Sequence, residues 1–177
     1  MDYRHRPLGR GQRCRGRGQE QRRGRGGGRP VAREGGSPAL SVFVDTSVWF
    51  AAAAADDADH ARAAALLERF EGRLLTSDHV IVETWMLAAG RLGASIAEAL
   101  TTSIRTDVAQ VEAATVADLE VAAQIRESFP DQRFSLVDRT SWAVMQRLSV
   151  HEALSLDRDY SIYRFGRDRR RAFTVHS

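Results

Sequence analysis

The stretch LSVFVDTSVW, residues 40–49, decides the reading of the chain. Leu40 to Val44 is a short apolar run rich in β-branched and aromatic side chains, the composition of a buried strand. It breaks off at Asp45, and two hydroxyls, Thr46 and Ser47, follow. In open parallel sheets ligand sites form at the carboxyl ends of the strands, so an acid at this point would face a crevice. An Asp or Ser at the same point also serves simply to N-cap the following helix. Asp45 alone does not choose between these roles.

Working outward, strands and helices alternate. Leu74 to Thr76 reads as a second strand, Val108 to Val111 as a third, Ala153 to Leu156 as a fourth and Ala172 to Val175 as a last one. Between them the spacing predicts helices from a cap at Asp57 or Asp59 to Phe70, from a cap at Asp78 to about Arg91, and over Ser95 to Thr106. Two more run from Thr115 to Ser128 and from Ser135 to Leu148, the first opening on a Thr115 and Asp118 pair in capping-box spacing. This alternation predicts an α/β fold with a central parallel sheet flanked by helices.

Residues 1–40 have a different texture. They hold eleven arginines against three acids, a net charge of +8, so the other 137 residues carry −5 of the chain's overall +3. Ten of the fourteen glycines lie there too. So little apolar surface cannot offset the entropy of ordering, so residues 1–39 are expected to be a disordered Gly/Arg-rich tail and residues 40–177 the folded domain. Such a preamble is also what an upstream reading frame in GC-rich DNA encodes. The tail is therefore expected to add nothing to catalysis, with Val31, Leu40 or Val42 as alternative start positions.

No apolar h-region follows the basic tail, as a signal peptide would require. The longest mostly apolar stretch near it, Val48 to Ala55, is far too short to cross a bilayer. The single cysteine, Cys14, excludes a disulfide framework and a thiolate metal site. A cytoplasmic protein without membrane contact is the expectation.

Three further acids stand where acids should be uncomfortable. Glu83 is the only charged side chain between His79 and Arg91, on a helix apolar almost all round and therefore expected to be buried on most sides. Asp138 sits in FSLVDRTSW, where Ser135-x-x-Asp138 also spells a capping box. Asp157 ends the apolar run of ALSLDRDY, with Asp159 two residues on, and a turn aspartate is its bland reading. Two of the four acids follow strand ends and two lie near helix starts at the same edge. Converging carboxylates raise one another's pKa unless a cation sits among them, and oxygen-only ligands select Mg²⁺ or Mn²⁺.

FVDTSVW, VIVETWMLA, FSLVDRTSWAVMQRL and ALSLDRDYSIYRF, in that order and spacing, resemble the PIN domain, and most closely the VapC ribonuclease toxins of toxin–antitoxin pairs. The resemblance covers about Ser41 to His176. It implies a three-layer sandwich around a parallel sheet, and a pocket in which Asp45, Glu83, Asp138 and Asp157 are the catalytic acids and metal ligands for Mg²⁺ or Mn²⁺. Asp45 and Asp138 are expected to bind tightest, with Glu83 completing the set and Asp157 supporting a second ion. Ser47, with Thr46 beside it, matches a hydroxyl that orients the first acid. Ser47, Arg139 and Arg158 are the candidate substrate-binding residues, and Asp159 is an auxiliary acid. The implied activity is endonucleolytic hydrolysis of RNA, held in check by a cognate antitoxin, in a homodimer.

The forty-residue preamble departs from the family pattern, and a body of charge −5 attracts RNA poorly. Phosphate contacts would come from local clusters, foremost Arg164, Arg167 and Arg169 to Arg171, although such a run is more often a solvated face. A haloacid-dehalogenase-type phosphatase would need a second acid where Ser47 stands. The chain has no lysine for a P-loop, and its five histidines form no i, i+4 zinc pair. The serious alternative is a non-catalytic RNA-binding protein whose Arg/Gly-rich tail binds while a degenerate PIN scaffold is inert. Retention of all four acids argues against it.

Overall fold

The computed structural model describes residues 41–177; the expectations for residues 1–39, and Leu40, lie outside the described residues. Five short strands form one sheet: β1 (Val42–Val44), β2 (Leu74–Ser77), β3 (Gln110–Glu112), β4 (Glu152–Leu154) and β5 (Thr174–His176), in the order β3-β2-β1-β4-β5. All four pairings are parallel, with Phe43 opposite Leu75 on one side and Ala153 on the other. β1 is the central strand, and all three of its residues are fully buried, as its unbroken apolar run requires.

The helices are α1 (Thr46–Ala53), α2 (His60–Arg69), α3 (Asp78–Arg91), α4 (Ala94–Ser103), α5 (Val116–Ser128), α6 (Leu136–Arg147) and the single turn α7 (Asp159–Ile162). Two of them, α1 and α7, fall in segments that patterning leaves unassigned, since alanine-rich FAAAAA has no polar face to mark a period. α4 ends earlier than its pattern suggests, because a π turn over Ile104–Val108 takes up Val108 before β3 begins. Gly93 has φ of 99° and separates α3 from α4, a backbone shape that a side chain would strain.

Both capping boxes form. Thr115 accepts from the Asp118 N–H and Ser135 from the Asp138 N–H, while each aspartate accepts in return from its cap's N–H. The cap of α3 is Ser77, whose hydroxyl accepts from Val80 N–H, and not Asp78. Asp78 instead accepts from the Ala114 N–H at 2.9 Å and so ties α3 to the loop before α5. α3 is also less enclosed than expected. It is buried along Val80, Thr84 and Ala88, but Val82 and Met86 are 58% and 64% exposed.

The core fills the space around the sheet with Trp49, Trp142, Tyr160, Met145 and the strand residues. Trp142 stacks on Tyr163 with centroids 4.2 Å apart and meets Phe134 and Tyr160 edge-on. This aromatic block packs α6 and the chain around α7 into the same core, so Asp138 and Asp157 are carried by mutually supported segments.

Candidate active site

The four acids come from four different segments near the carboxyl ends of β1 and β4, close enough for their charges to interact. Asp45 follows β1 directly, at the strand's carboxyl end, and is also the N-cap of α1. The residue is 5% exposed. Asp138 stands in the first turn of α6, Glu83 in the second turn of α3, and Asp157 in the turn after β4.

Hydroxyl groups join them. Ser47 Oγ donates to Asp45 Oδ2 at 2.6 Å and accepts from the Leu156 N–H at 3.0 Å. Ser155 Oγ donates to the same Oδ2 at 3.1 Å, and Thr46 Oγ1 donates to Glu83 Oε2 at 2.6 Å. Each acid has one oxygen held in this way: Asp45 Oδ2, Glu83 Oε2, Asp138 Oδ2 by the Ser135 N–H at 2.8 Å, and Asp157 Oδ1 by the Asp159 N–H at 2.9 Å. Among the described residues nothing donates to the second oxygen of any of them, and none is ion-paired to arginine.

The electrostatics follow from that arrangement. Burial pushes Asp45 up from 3.8 to about 6, the charge of Asp138 adds to it, and the bonds from Ser47 and Ser155 offset only part. Burial raises Glu83 as well; Thr46 opposes this, and Asp138 and Asp157 reinforce it. Asp138 is raised by burial and by Asp157, against the Ser135 bonds and the charge of Arg139. Burial, Asp157 and Asp138 raise Asp159, which places that auxiliary acid at the rim of the same cluster. The fully buried Tyr160 is raised by burial and then by the charges of Asp45, Asp138 and Glu83.

The donor chemistry suits a hard cation: carboxylates that influence one another's charge, each with one oxygen that accepts no hydrogen bond from the described residues, and no positive side chain bonded to them. As they stand, among the described residues, no three His, Cys, Asp or Glu side chains converge closely enough to hold a metal ion together. Mg²⁺ does not require such a cage, because it keeps several waters and is usually bound through one or two carboxylates and substrate phosphates. Asp45 and Asp138, directly coupled and most buried of the four, are the pair that fits it.

The candidate arginines behave less uniformly. Arg139 donates to the Ser135 and Ala122 carbonyls at 3.0 Å each, so its fork is used to dock α6 on α5. Arg158 is exposed between Asp157 and Asp159, and its side chain makes no hydrogen bond or ion pair among the described residues. In the basic run, Arg169 lies over Phe129, Arg171 over Phe165, and Arg164 donates to the Ser161 and Tyr163 carbonyls. These contacts shape the loop after α7, in which Arg167 and Arg170 are also exposed and Arg170 lies 3.7 Å from the Asp168 carboxylate. Sequence reasoning passed over Ser155. The signal available was a lone hydroxyl in the otherwise apolar ALSL run, two residues before an acid.

Comparison with known proteins bears on the family and the fold. The PIN domain matches residues 42–166. The chain is 40% identical over 121 residues to the 23S rRNA-specific endonuclease VapC20 of Mycobacterium tuberculosis, covering 68% of this chain and 92% of that protein. It is 26% identical over 117 residues to Ribonuclease VapC26 of the same species, covering 66% and 87%. The crystal structure of Mycobacterium tuberculosis VapC20, described as a sarcin-ricin loop cleaving toxin, superposes with a TM-score of 0.65 at 36% identity, over 69% of this chain and 94% of that one. On the strength of the sheet order, the motif order and these matches, the chain belongs to the PIN-domain family.

Proposed function

We propose that this protein is an endoribonuclease, the toxin of a toxin–antitoxin pair, that cleaves RNA phosphodiester bonds with Mg²⁺ or Mn²⁺. The observation that carries the proposal is the set of four coupled carboxylates at one sheet edge, each with one oxygen held and the other open. Uncompensated, such a cluster destabilises the fold, so it calls for a cation from outside.

Asp45 and Asp138 would hold the ion, Glu83 would complete the set, and Asp157 would lie on the side where substrate or a second ion enters. A bound Mg²⁺ or Mn²⁺ supplies Lewis acidity to the phosphoryl group and to water at neutral pH. The chain's own residues orient the reactants. Thr46 fixes the direction of Glu83, and Ser47 fixes that of Asp45. Arg158 is the positive group placed to meet a phosphate beside Asp157.

Because the relatives include one named for 23S rRNA, ribosomal RNA is the first substrate to test. Incubating ribosomes with the full chain in Mg²⁺ and mapping 23S rRNA ends by primer extension should show one dominant cut, absent in EDTA and restored by Mn²⁺. Intact rRNA at high protein concentration would refute the activity. Expression in the cytoplasm without a partner should arrest growth, and co-expression with the cognate antitoxin should relieve it. A homodimer would cover the apolar face that Val82 and Met86 expose on α3; sedimentation showing only monomer would remove that part of the proposal.

A further inference from the structure

Ser155 sits at the end of β4, 1% exposed, and its hydroxyl is engaged on both sides. It donates to Asp45 Oδ2 at 3.1 Å and accepts from the Asp157 backbone N–H at 3.0 Å. The same Oδ2 accepts from Ser47 Oγ at 2.6 Å and from the Ser47 N–H at 3.3 Å. Three donor groups therefore converge on one oxygen of Asp45, while no described residue donates to Oδ1. A carboxylate held by several donors at one oxygen cannot rotate without breaking them, so the direction of the other oxygen is set.

We propose that Ser155 is a positioning residue. It turns the Asp45 carboxylate so that Oδ1 alone is offered to a divalent cation, and it ties the Asp157 turn to that carboxylate so that the first and fourth acids are set as one unit. The backbone reinforces the tie, since the Asp45 N–H donates to the Leu154 carbonyl at 3.0 Å and the Leu156 N–H to Ser47 Oγ at 3.0 Å. A purely packing role would be served by alanine at this buried place, but alanine would remove one of the three donors that hold Asp45 Oδ2 and leave the Asp157 N–H without its acceptor. This inference rests on the proposed cation site.

Direct titration of Mn²⁺ against full-length protein, read by the electron paramagnetic resonance of free Mn²⁺, tests it together with melting in EDTA. Ser155→Ala should weaken Mn²⁺ binding by about 10- to 100-fold, the usual cost of losing an outer partner of a metal ligand. Ser155→Thr, which keeps the hydroxyl, should bind close to the parent. If Ser155→Ala does not fold, Ser155→Cys carries the comparison, because a thiol of similar size is a weak donor, and the same loss is expected. A merely structural role would lower the melting temperature and leave Mn²⁺ affinity unchanged, and that result in a folded variant would overturn the proposal while the cation site stands. A parent protein that binds no Mn²⁺ would overturn both.

Discussion

Helices α5 and α6 pack side by side and open on the same device, a hydroxyl-x-x-Asp capping box in which Asp118 and Asp138 make the same reciprocal bonds. Their surroundings differ. Both oxygens of Asp118 accept from Arg147 Nε at 3.1 Å, and Arg147 also reaches Glu112 at 2.9 Å. Burial pushes Asp118 up, but the bonds from Arg147 and Thr115 outweigh it and hold the carboxyl below its usual range. Asp138 has no such partner: one oxygen is open, Asp157 faces it, and it is raised. The motif is shared, and what lies opposite decides whether the acid is a structural cap or a candidate ligand.

The largest expected effect comes from removing charge on the open side. Asp45→Asn keeps a capping side chain but loses the charge a cation needs. Cleavage should fall by more than the roughly 100-fold that marks loss of an outer partner. Because the folded-state pKa is raised by about 2 units, the charged form costs the metal-free fold roughly 3 kcal/mol at neutral pH. Urea denaturation in EDTA should therefore find Asp45→Asn more stable than the parent, and a loss of stability would count against the uncompensated-cluster account.

Breaking the satisfied side should do the reverse. Arg147→Met leaves Asp118, only 3% exposed, without its cation. The cost should be about 2 kcal/mol, below that of a fully buried pair because Arg147 is one-third exposed. Cleavage per folded molecule should not change.

Acid titration should separate the two aspartates by sign. With a lowered folded pKa, Asp118 contributes stability above its unfolded value, and that contribution is lost as pH falls through the folded value. With raised folded values, Asp45, Glu83 and Asp138 work oppositely: each makes metal-free stability decline as pH rises, Asp45 through the window from about 4 to about 6. Denaturation of the parent and of Asp45→Asn between pH 4 and 7 in EDTA should show the decline in the parent and a reduced one in the variant. At the small end, Ser47→Ala removes the 2.6 Å bond to Asp45 and the acceptor for Leu156 N–H, and should cost about 1 kcal/mol in thermal melts.

Much of this was legible in the sequence, for stated physical reasons. β1 was marked by an apolar run that ends at an acid, and both capping boxes by residue type at fixed spacing. The four candidate acids stood out because each interrupts an apolar context. Three things were less visible. The helix α1 begins at Thr46 in a segment without period, so propensity gave no face to read. The exposure of Val82 and Met86 depends on what packs on α3, which composition does not encode. Ser155 and the use of Arg139 on backbone carbonyls depend on contacts between residues far apart in the chain.

The most direct test of the central claim sets the twin caps against each other. Cleavage of 23S rRNA by full-length Asp138→Asn and Asp118→Asn would be measured side by side in Mg²⁺, with the folded fraction of each determined by circular dichroism. The account predicts that Asp138→Asn loses cleavage by more than about 100-fold while remaining folded, whereas Asp118→Asn loses stability but cleaves like the parent per folded molecule. Equal cleavage by folded Asp138→Asn and the parent would contradict it.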